Sequence, residues 1–307
     1  MRLGEYPGQL RPAKIFGYPG KRNGFSLHPS PPGCMELVAG ATAKYKRSIT
    51  MAKFVRYSGP RGVQYGRTDG FGTIEALTGP AWMGGQPTGD SFDIKEIRLL
   101  APCEPSKIVC VAHNFPGHAR ERKTRDPRMP LIFLKPPSAV IGTGEAIVLP
   151  RAAKRVEHEA ELGIVIGRRC HRVTAAYARG FGSGVTCVND VTARDIQEEE
   201  GGYYLRAKAF DTFCPIGPWI EEGPVDINAT NIRCLVNGEI RQQGRGDQML
   251  FDPWQIVSYV SSIMTLLPGD IVVTGTPSGV GQLEAGDTCD IEIDGVGRLR
   301  NPVVQEA

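Results

Sequence analysis

From residue 53 onward, apolar positions recur mostly with a period of two or in short unbroken runs, the signature of strands. KFVRY, VQYGRT and TIEAL, separated by Gly and Asp turns, predict a small β-rich unit within residues 51–100. A Pro-containing connector, residues 93–107, leads into KIVCVA, a buried-strand pattern, and LIFLK then reads as a strand ending in the cation Lys135. CLVNGEIRQ predicts a hairpin about Asn237-Gly238. A helical period appears once over a long stretch. Asp252 as N-cap and Pro253 at the first helical position open a helix whose Ile256, Val260, Ile263, Met264 and Leu267 form an apolar stripe, stopped by Pro268-Gly269. That stripe is core rather than a cofactor site.

The polar positions that break these patterns carry the chemistry. In residues 156–167, VEHEAELGIVIG, the carboxylates Glu157, Glu159 and Glu161 alternate with Val156, His158, Ala160 and Leu162, which predicts three acidic side chains on one strand face. Same-face neighbours stand roughly 6.5–7 Å apart, so two can converge on a cation, whereas stacking them without one costs repulsion. Oxygen-only ligation favours Mg²⁺, with Mn²⁺ or Ca²⁺ as alternatives, because no His or Cys pair stands nearby at zinc spacing. Asp190 ends the apolar run 185–188 and opens the helix-like TARDIQ, which puts a further carboxylate at a strand end. The plainer alternative is a solvated acidic face with Asp190 as a helix cap. Downstream, Arg194 and Gln197 fall on one helix face, suited to gripping a carboxylate and a carbonyl oxygen, while Glu198, Glu199 and Glu200 read as solvated.

Residues 113–130 are dense in Arg, Lys and Asp and read as a mobile flap. Within it His118 and Glu121 are neighbours if the flap turns helical, and a carboxylate beside an imidazole raises its basicity and fixes its tautomer. On spacing alone the pair is better read as one more charged surface pair. Lys208, in the alternating apolar setting LRAKAF, is placed to have a lowered pKa and to exchange protons. The stretch IVVTGTPSGVG is a strand feeding a Gly-rich loop whose amides and Thr276 can receive an anion; it lacks the lysine arrangement of a nucleotide-binding P-loop.

Charge narrows the field. Eight of the 36 Lys and Arg, but just two of the 33 Asp and Glu, lie in residues 1–50, which leaves 28 basic against 31 acidic groups in the remainder. The net +3 of the whole chain therefore conceals a mildly acidic body, and nucleic-acid binding has little support. Residues 1–50, rich in Pro and Gly, have no sustained periodicity and read as irregular. No apolar run approaches the length of a membrane span, and residues 1–30 lack the apolar middle of a secretory signal, so the expectation is a soluble cytoplasmic protein. The eight cysteines show no CxxC pair and read mostly as reduced, buried residues; Cys110, Cys187 and Cys234 lie inside apolar runs, which argues against a nucleophilic thiol.

HEAELGIVIG, VNDVTARDIQ, LRAKAFDTFCPIGPW and TGTPSGVG together resemble the consecutive signatures of the fumarylacetoacetate hydrolase family, over about residues 107–302. The resemblance implies an α+β, β-rich fold, a mixed β-roll of the fumarylacetoacetase C-terminal type with a small N-terminal β-rich domain. Residues 1–50 would be an irregular extension upstream of MAKFVRY, which resembles the start of family members, 51–104 the N-terminal domain and 105–307 the catalytic domain. It implies Glu159, Glu161 and Asp190 as metal ligands, with Glu157 a neighbour. His118 and Glu121 match the family's N-Y-x-x-H-x-x-E lid motif, with Phe115 in place of Tyr and Gly117 where many members have Asp. Lys208 becomes catalytic; Lys135, Arg194, Gln197 and Thr276 become substrate contacts, Thr276 holding a carboxylate. The expected activity is Mg²⁺-dependent hydrolysis or decarboxylation of 2-oxo, acylpyruvate-type acids, with isomerisation of 2-hydroxy-dienoic diacids of aromatic catabolism as the alternative. The expected assembly is a homodimer, and a non-catalytic binding protein on the same fold is the remaining, weaker reading.

Overall fold

The computed structural model describes residues 53–70 and 72–307. The basic extension, residues 1–50, and Cys34 lie outside the described residues. In chain order, the elements that place the site begin with strands β1 (Lys53–Gly59), β2 (Gly62–Thr68), β3 (Thr73–Leu77), β4 (Pro87–Asp93) and β5 (Ile108–Ala112). Helix α1 (Pro116–Glu121) follows, then β6 (Leu131–Lys135), β7 (Val156–His158), β8 (Ala160–Ile166), β9 (Gly182–Asn189) and β10 (Thr192–Ala193). Helices α2 (Arg194–Glu199) and α3 (Leu205–Lys208) lead to β11 (Cys214–Glu221), β12 (Asn231–Val236) and β13 (Glu239–Arg245). Helix α4 (Pro253–Ile263), β14 (Ile271–Val273), β15 (Gly281–Gln282), β16 (Thr288–Ile293) and β17 (Gly297–Gln305) complete the set.

The main sheet runs β4-β3-β2-β1-β11-β9-β8-β14-β5-β6 and is mixed, since β14 and β5 are parallel while the other neighbours on this path are antiparallel. The expected N-terminal strands are present and join this sheet: Lys53 and Phe54 of β1 lie opposite Glu221 and Ile220 of β11. They keep a small core of their own, Val55, Tyr57 and Ile74. The central strands β5, β8 and β14 are buried along their whole length, which is why they read as unbroken apolar runs rather than alternations. The hairpin turn is as expected, with Asn237 and Gly238 both at positive φ (54° and 83°), the conformation of a type I′ turn.

Two local expectations are corrected. Helix α4 has its Asp252 cap, with Gln255 completing a capping box, but it ends at Ile263. Beyond it the backbone of Leu266 exchanges both hydrogen bonds with Cys170, so the chain leaves the helix before Pro268 can stop it. Ile256 and Val260 are buried as expected, whereas Ile263 and Leu267 are exposed and Val257 and Ser261 take their place on the inner face.

The strand expected across residues 156–167 is broken at Glu159. β7 pairs with β10 and β15 in a separate three-stranded sheet, and β8 enters the main sheet between β9 and β14. At the break, side chains from other strands replace the ladder: Glu159 N–H donates to Asn189 Oδ1 (2.9 Å) and Ala160 N–H to Gln242 Oε1 (3.0 Å). A buried backbone kink therefore costs no unpaired amide at these positions. The seven described cysteines are all buried and free. Among the described residues, no helix is long and apolar enough to cross a membrane.

Candidate metal centre and active site

Breaking the strand at Glu159 turns a row of acids into a cluster. Oxygen atoms of Glu159, Glu161 and Asp190 lie within 4.8 Å of one another, and all three residues are buried. Glu161 and Asp190 come from neighbouring strands in register, β8 pairing Glu161 with Val188 and Ala160 with Asn189, the residue before Asp190. Asp190 is not a helix cap. β10 intervenes, and α2 begins at Arg194 behind Ala193, so Asp190 sits in the turn between two strands and aims at the cluster.

Each carboxylate is held by hydrogen bonds from protein donors, and Lys208 is shared between two of them. Lys208 Nζ donates to Asp190 Oδ2 (2.6 Å) and Glu159 Oε2 (2.8 Å), and Lys135 Nζ to Asp190 Oδ1 (2.5 Å) and the Val191 carbonyl (3.0 Å). The Gly275 amide donates to Glu161 Oε2 at 2.5 Å. Gly275 has φ +94°, and a Cβ there would stand 2.6 Å from Asn114 Cβ, so only glycine brings this amide to the ligand. Arg194 donates from Nε to Glu157 Oε2 (2.7 Å), from Nη2 to Glu159 and from Nη1 to Gln197.

Burial raises the Glu159 carboxyl, but Lys208 and Arg194 overcome it and hold it well below the usual range. Glu161 goes the other way: burial, then Asp190 and Glu159, push it well above that range, with the Gly275 amide opposing weakly. One buried carboxyl pushed toward its protonated form by two acidic neighbours is the situation a hard divalent cation relieves, and the donor set fits Mg²⁺, Mn²⁺ or Ca²⁺. For Lys208 the expectation of a lowered pKa is overturned. Burial does lower it, but the carboxylates of Asp190 and Glu159 raise it above the ordinary lysine value.

The expected flap contains helix α1, preceded by Phe115, which is 2% exposed in the main core, and by Asn114, whose side chain donates to the Thr274 and Phe251 carbonyls (2.7 and 3.1 Å). His118 is 5% exposed whereas Glu121 is exposed, so the pair is buried at its imidazole and open to solvent at its carboxylate. His118 Nδ1 lies 3.1 Å from Glu121 Oε2, and Glu121 Oε1 accepts the Gly279 amide (3.1 Å), which docks the helix on the Gly-rich loop. A neutral His118 is thus Nδ1–H donating to Glu121, leaving Nε2 as a base. The expected rise in basicity does not prevail: burial lowers the His118 pKa, with Glu159 and Glu121 opposing. Gly117 approaches the same loop, and a Cβ there would meet Ser278 Oγ at 3.0 Å.

A cavity of about 330 Å³ gathers most of these groups: His118, Glu159, Glu161, Asp190, Arg194, Gln197, Lys208 and Thr276 all line it. Lys135 does not; it is 1% exposed and braces Asp190 from behind. Thr276 gives its hydroxyl proton to the Ala160 carbonyl (2.9 Å) and accepts from Gln242 Nε2 (2.6 Å), so its side chain also braces the β7–β8 break. Sequence reading missed Asn189 and Gln242, whose signals are ordinary amides in unrelated strands. It also missed Arg122 and His113, both on the cavity wall; His113 is held at φ +56°, a strained conformation for a non-glycine residue.

Comparison with known proteins agrees with this geometry. The fumarylacetoacetate (FAA) hydrolase C-terminal family matches residues 107–304, and the Rv2993c-like N-terminal family matches residues 52–102. The mitochondrial oxaloacetate tautomerase Fahd2a of Rattus norvegicus is 38% identical over 219 residues, 68% of this chain and 70% of that protein. The crystal structure of 5-carboxymethyl-2-hydroxymuconate delta-isomerase from Mycobacterium smegmatis is 42% identical, with a TM-score of 0.78 over 83% of this chain and 100% of that one. Maleylpyruvate hydrolase from Sphingobium sp. SYK-6, solved with manganese(II) and pyruvate, is 29% identical, with a TM-score of 0.69 over 83% of this chain and 100% of that one. With a family match spanning 107–304 and the carboxylate cluster at its centre, this chain belongs to the fumarylacetoacetate hydrolase family.

Proposed function

We propose that this chain is a divalent-metal-dependent enzyme of 2-oxo acids that hydrolyses a carbon–carbon bond in acylpyruvate-type substrates. The observation that carries the reading is the convergence on one cavity of the three-carboxylate cluster, Lys208 and His118, whose ring is hydrogen-bonded to Glu121 outside the cavity lining. Glu159, Glu161 and Asp190 would hold Mg²⁺ or Mn²⁺, which supplies Lewis-acid polarisation of the 2-oxo group and stabilises enolate charge. Gln197, whose Oε1 faces Arg194, has its amide Nε2 left to donate to a carbonyl oxygen. His118 Nε2 takes a proton from water as the oxygen attacks the distal carbonyl, with Glu121 fixing the ring. The bond between that carbonyl carbon and C3 then breaks, its electron pair passing to the pyruvate enolate, and Lys208 returns a proton to C3. The products are a carboxylic acid and pyruvate.

A second reading, tautomerisation or isomerisation without bond cleavage, is favoured by the names of two relatives, an oxaloacetate tautomerase at 38% identity and a 5-carboxymethyl-2-hydroxymuconate delta-isomerase at 42%. It uses Lys208 as the proton shuttle and needs no activated water. A panel of acylpyruvates, oxaloacetate and 2-hydroxy-dienoates, assayed with Mg²⁺ and with excess EDTA, tests both. Hydrolysis of an acylpyruvate that EDTA abolishes and Mg²⁺ or Mn²⁺ restores is the expected result; undiminished turnover in EDTA overturns the metal-dependent mechanism.

A further inference from the structure

Two guanidiniums line the cavity, and they are committed to the protein to different extents. Arg194 donates from each of its three nitrogens to a protein acceptor, Glu157, Gln197 and Glu159. Arg122, at the C-terminal end of α1, donates to protein from Nη2 alone, to Glu157. Its Nε is buried and has no partner among the described residues. The carboxylate it touches is shared, because the same Glu157 oxygen also accepts Arg194 Nε and the other oxygen stands 3.3 Å from Arg155 Nε. Glu198, the other acid at this part of the wall, is taken by Arg155. A guanidinium carries five N–H donors in a planar fork suited to a carboxylate. Arg122 therefore brings more uncommitted donors to the cavity than Arg194, whose three nitrogens are each engaged, together with an incompletely balanced charge.

Its position along the wall fixes what it would meet. His118 and Arg122 are four residues apart at the end of one helix, neighbours on the same face, and both line the cavity. In the mechanism above, the 2-oxo acid end belongs to the carboxylate cluster, C3 to Lys208 and the distal carbonyl to His118. A group one step beyond the distal carbonyl would then come within reach of Arg122, the cavity-lining residue one helical turn after His118.

We propose that Arg122 is a specificity-determining residue that receives a second carboxylate at the far end of the substrate, so that this enzyme acts on 2-oxo dioates in preference to 2-oxo acids ending in an alkyl or aryl group. The proposal rests on the 2-oxo acid reading of the site, and its test is separable from it. Titration calorimetry of the full-length Mg²⁺-loaded protein with 2-oxoglutarate and with 2-oxopentanoate compares two ligands of equal chain length that differ in the distal carboxylate. The wild type should bind 2-oxoglutarate about 10- to 100-fold more tightly, the range of a charge-assisted contact. Arg122→Met should bring that ratio close to one, and Arg122→Lys should recover part of it. Should Arg122→Met fail to fold, Arg122→Gln, which keeps a donor for Glu157 without the charge, makes the same comparison. Equal binding of the two acids by the wild type, or a ratio that survives loss of the guanidinium, overturns the proposal whatever reaction the enzyme performs. An Arg122-dependent ratio without turnover of any acylpyruvate supports the subsite and sinks the hydrolase reading instead.

Discussion

The carboxylate cluster and the lid helix face each other across one cavity, yet they are assembled by opposite means. Glu159 at the β7–β8 break, Glu161 on β8 and Asp190 just past β9 are brought together by the pairing of β8 with β9, and Glu159 and Asp190 are held by lysines and an arginine drawn from β6, α3 and α2, all of them nearly buried. His118, Glu121 and Arg122 lie within a single turn and a half of chain, fastened by Phe115, Asn114 and the Glu121–Gly279 hydrogen bond. In the first region charge is part of the core, and its balance is a condition of folding. In the second, charge is attached to a short helix that is no part of the sheet's hydrogen-bond ladder. Chemistry and stability should therefore be coupled at the cluster and separable at the lid.

The largest effect tests the coupling. Asp190→Ala removes a partner of Lys135 and of Lys208, leaving two buried ammonium groups undercompensated. It should abolish Mg²⁺ binding and activity together and destabilise the fold by roughly 3–5 kcal/mol, the cost of breaking a buried pair. Urea unfolding beside Mg²⁺ titration measures both; loss of metal binding with unchanged stability would show the lysines are not anchored by this acid.

His118→Ala addresses the lid. Hydrolysis should slow by roughly 10²- to 10⁴-fold, the usual contribution of a general base, with Mg²⁺ affinity and enol–keto exchange better preserved. Because burial depresses the His118 pKa below the ordinary imidazole value, the hydrolytic rate should fall on acidification at a lower pH than an ordinary imidazole base would give. The sign for stability agrees: a depressed histidine binds fewer protons folded than unfolded, so its contribution is present above about pH 6.5 and is lost as the pH falls. Wild-type hydrolysis in His118→Ala would make tautomerisation the better reading.

The smallest effect concerns how closely the lid sits. Gly117→Ala places a methyl 3.0 Å from Ser278 Oγ, an exposed side chain able to give way, so stability should hardly move while hydrolysis slows by less than about tenfold through a small displacement of His118. A loss as large as that of His118→Ala would mean that the lid tolerates no displacement at all.

Local pattern carried far in this chain. β5 and β6 lie where KIVCVA and LIFLK placed them, the Asn237-Gly238 turn is of the expected type, and α4 starts at its capping box. These features depend on residues within a few positions of one another, which periodicity and turn chemistry report directly. The i, i+3 spacing of His118 and Glu121 belongs to the same class, though not the burial that lowers the histidine.

What the sequence by itself determined was the set of elements, the acidic composition of the cluster and, through the succession of its motifs, the family. Tertiary structure alone decided the break at Glu159, because the amides that stabilise it, Asn189 and Gln242, arrive from strands 30 and 82 residues away. It also decided that Lys135 braces Asp190 rather than lining the cavity, that Lys208 is raised rather than lowered, and that Arg122 keeps more of its donors uncommitted than Arg194. Each of those outcomes is a balance between desolvation and charges distant in sequence, and periodicity along the chain holds no record of distances across it.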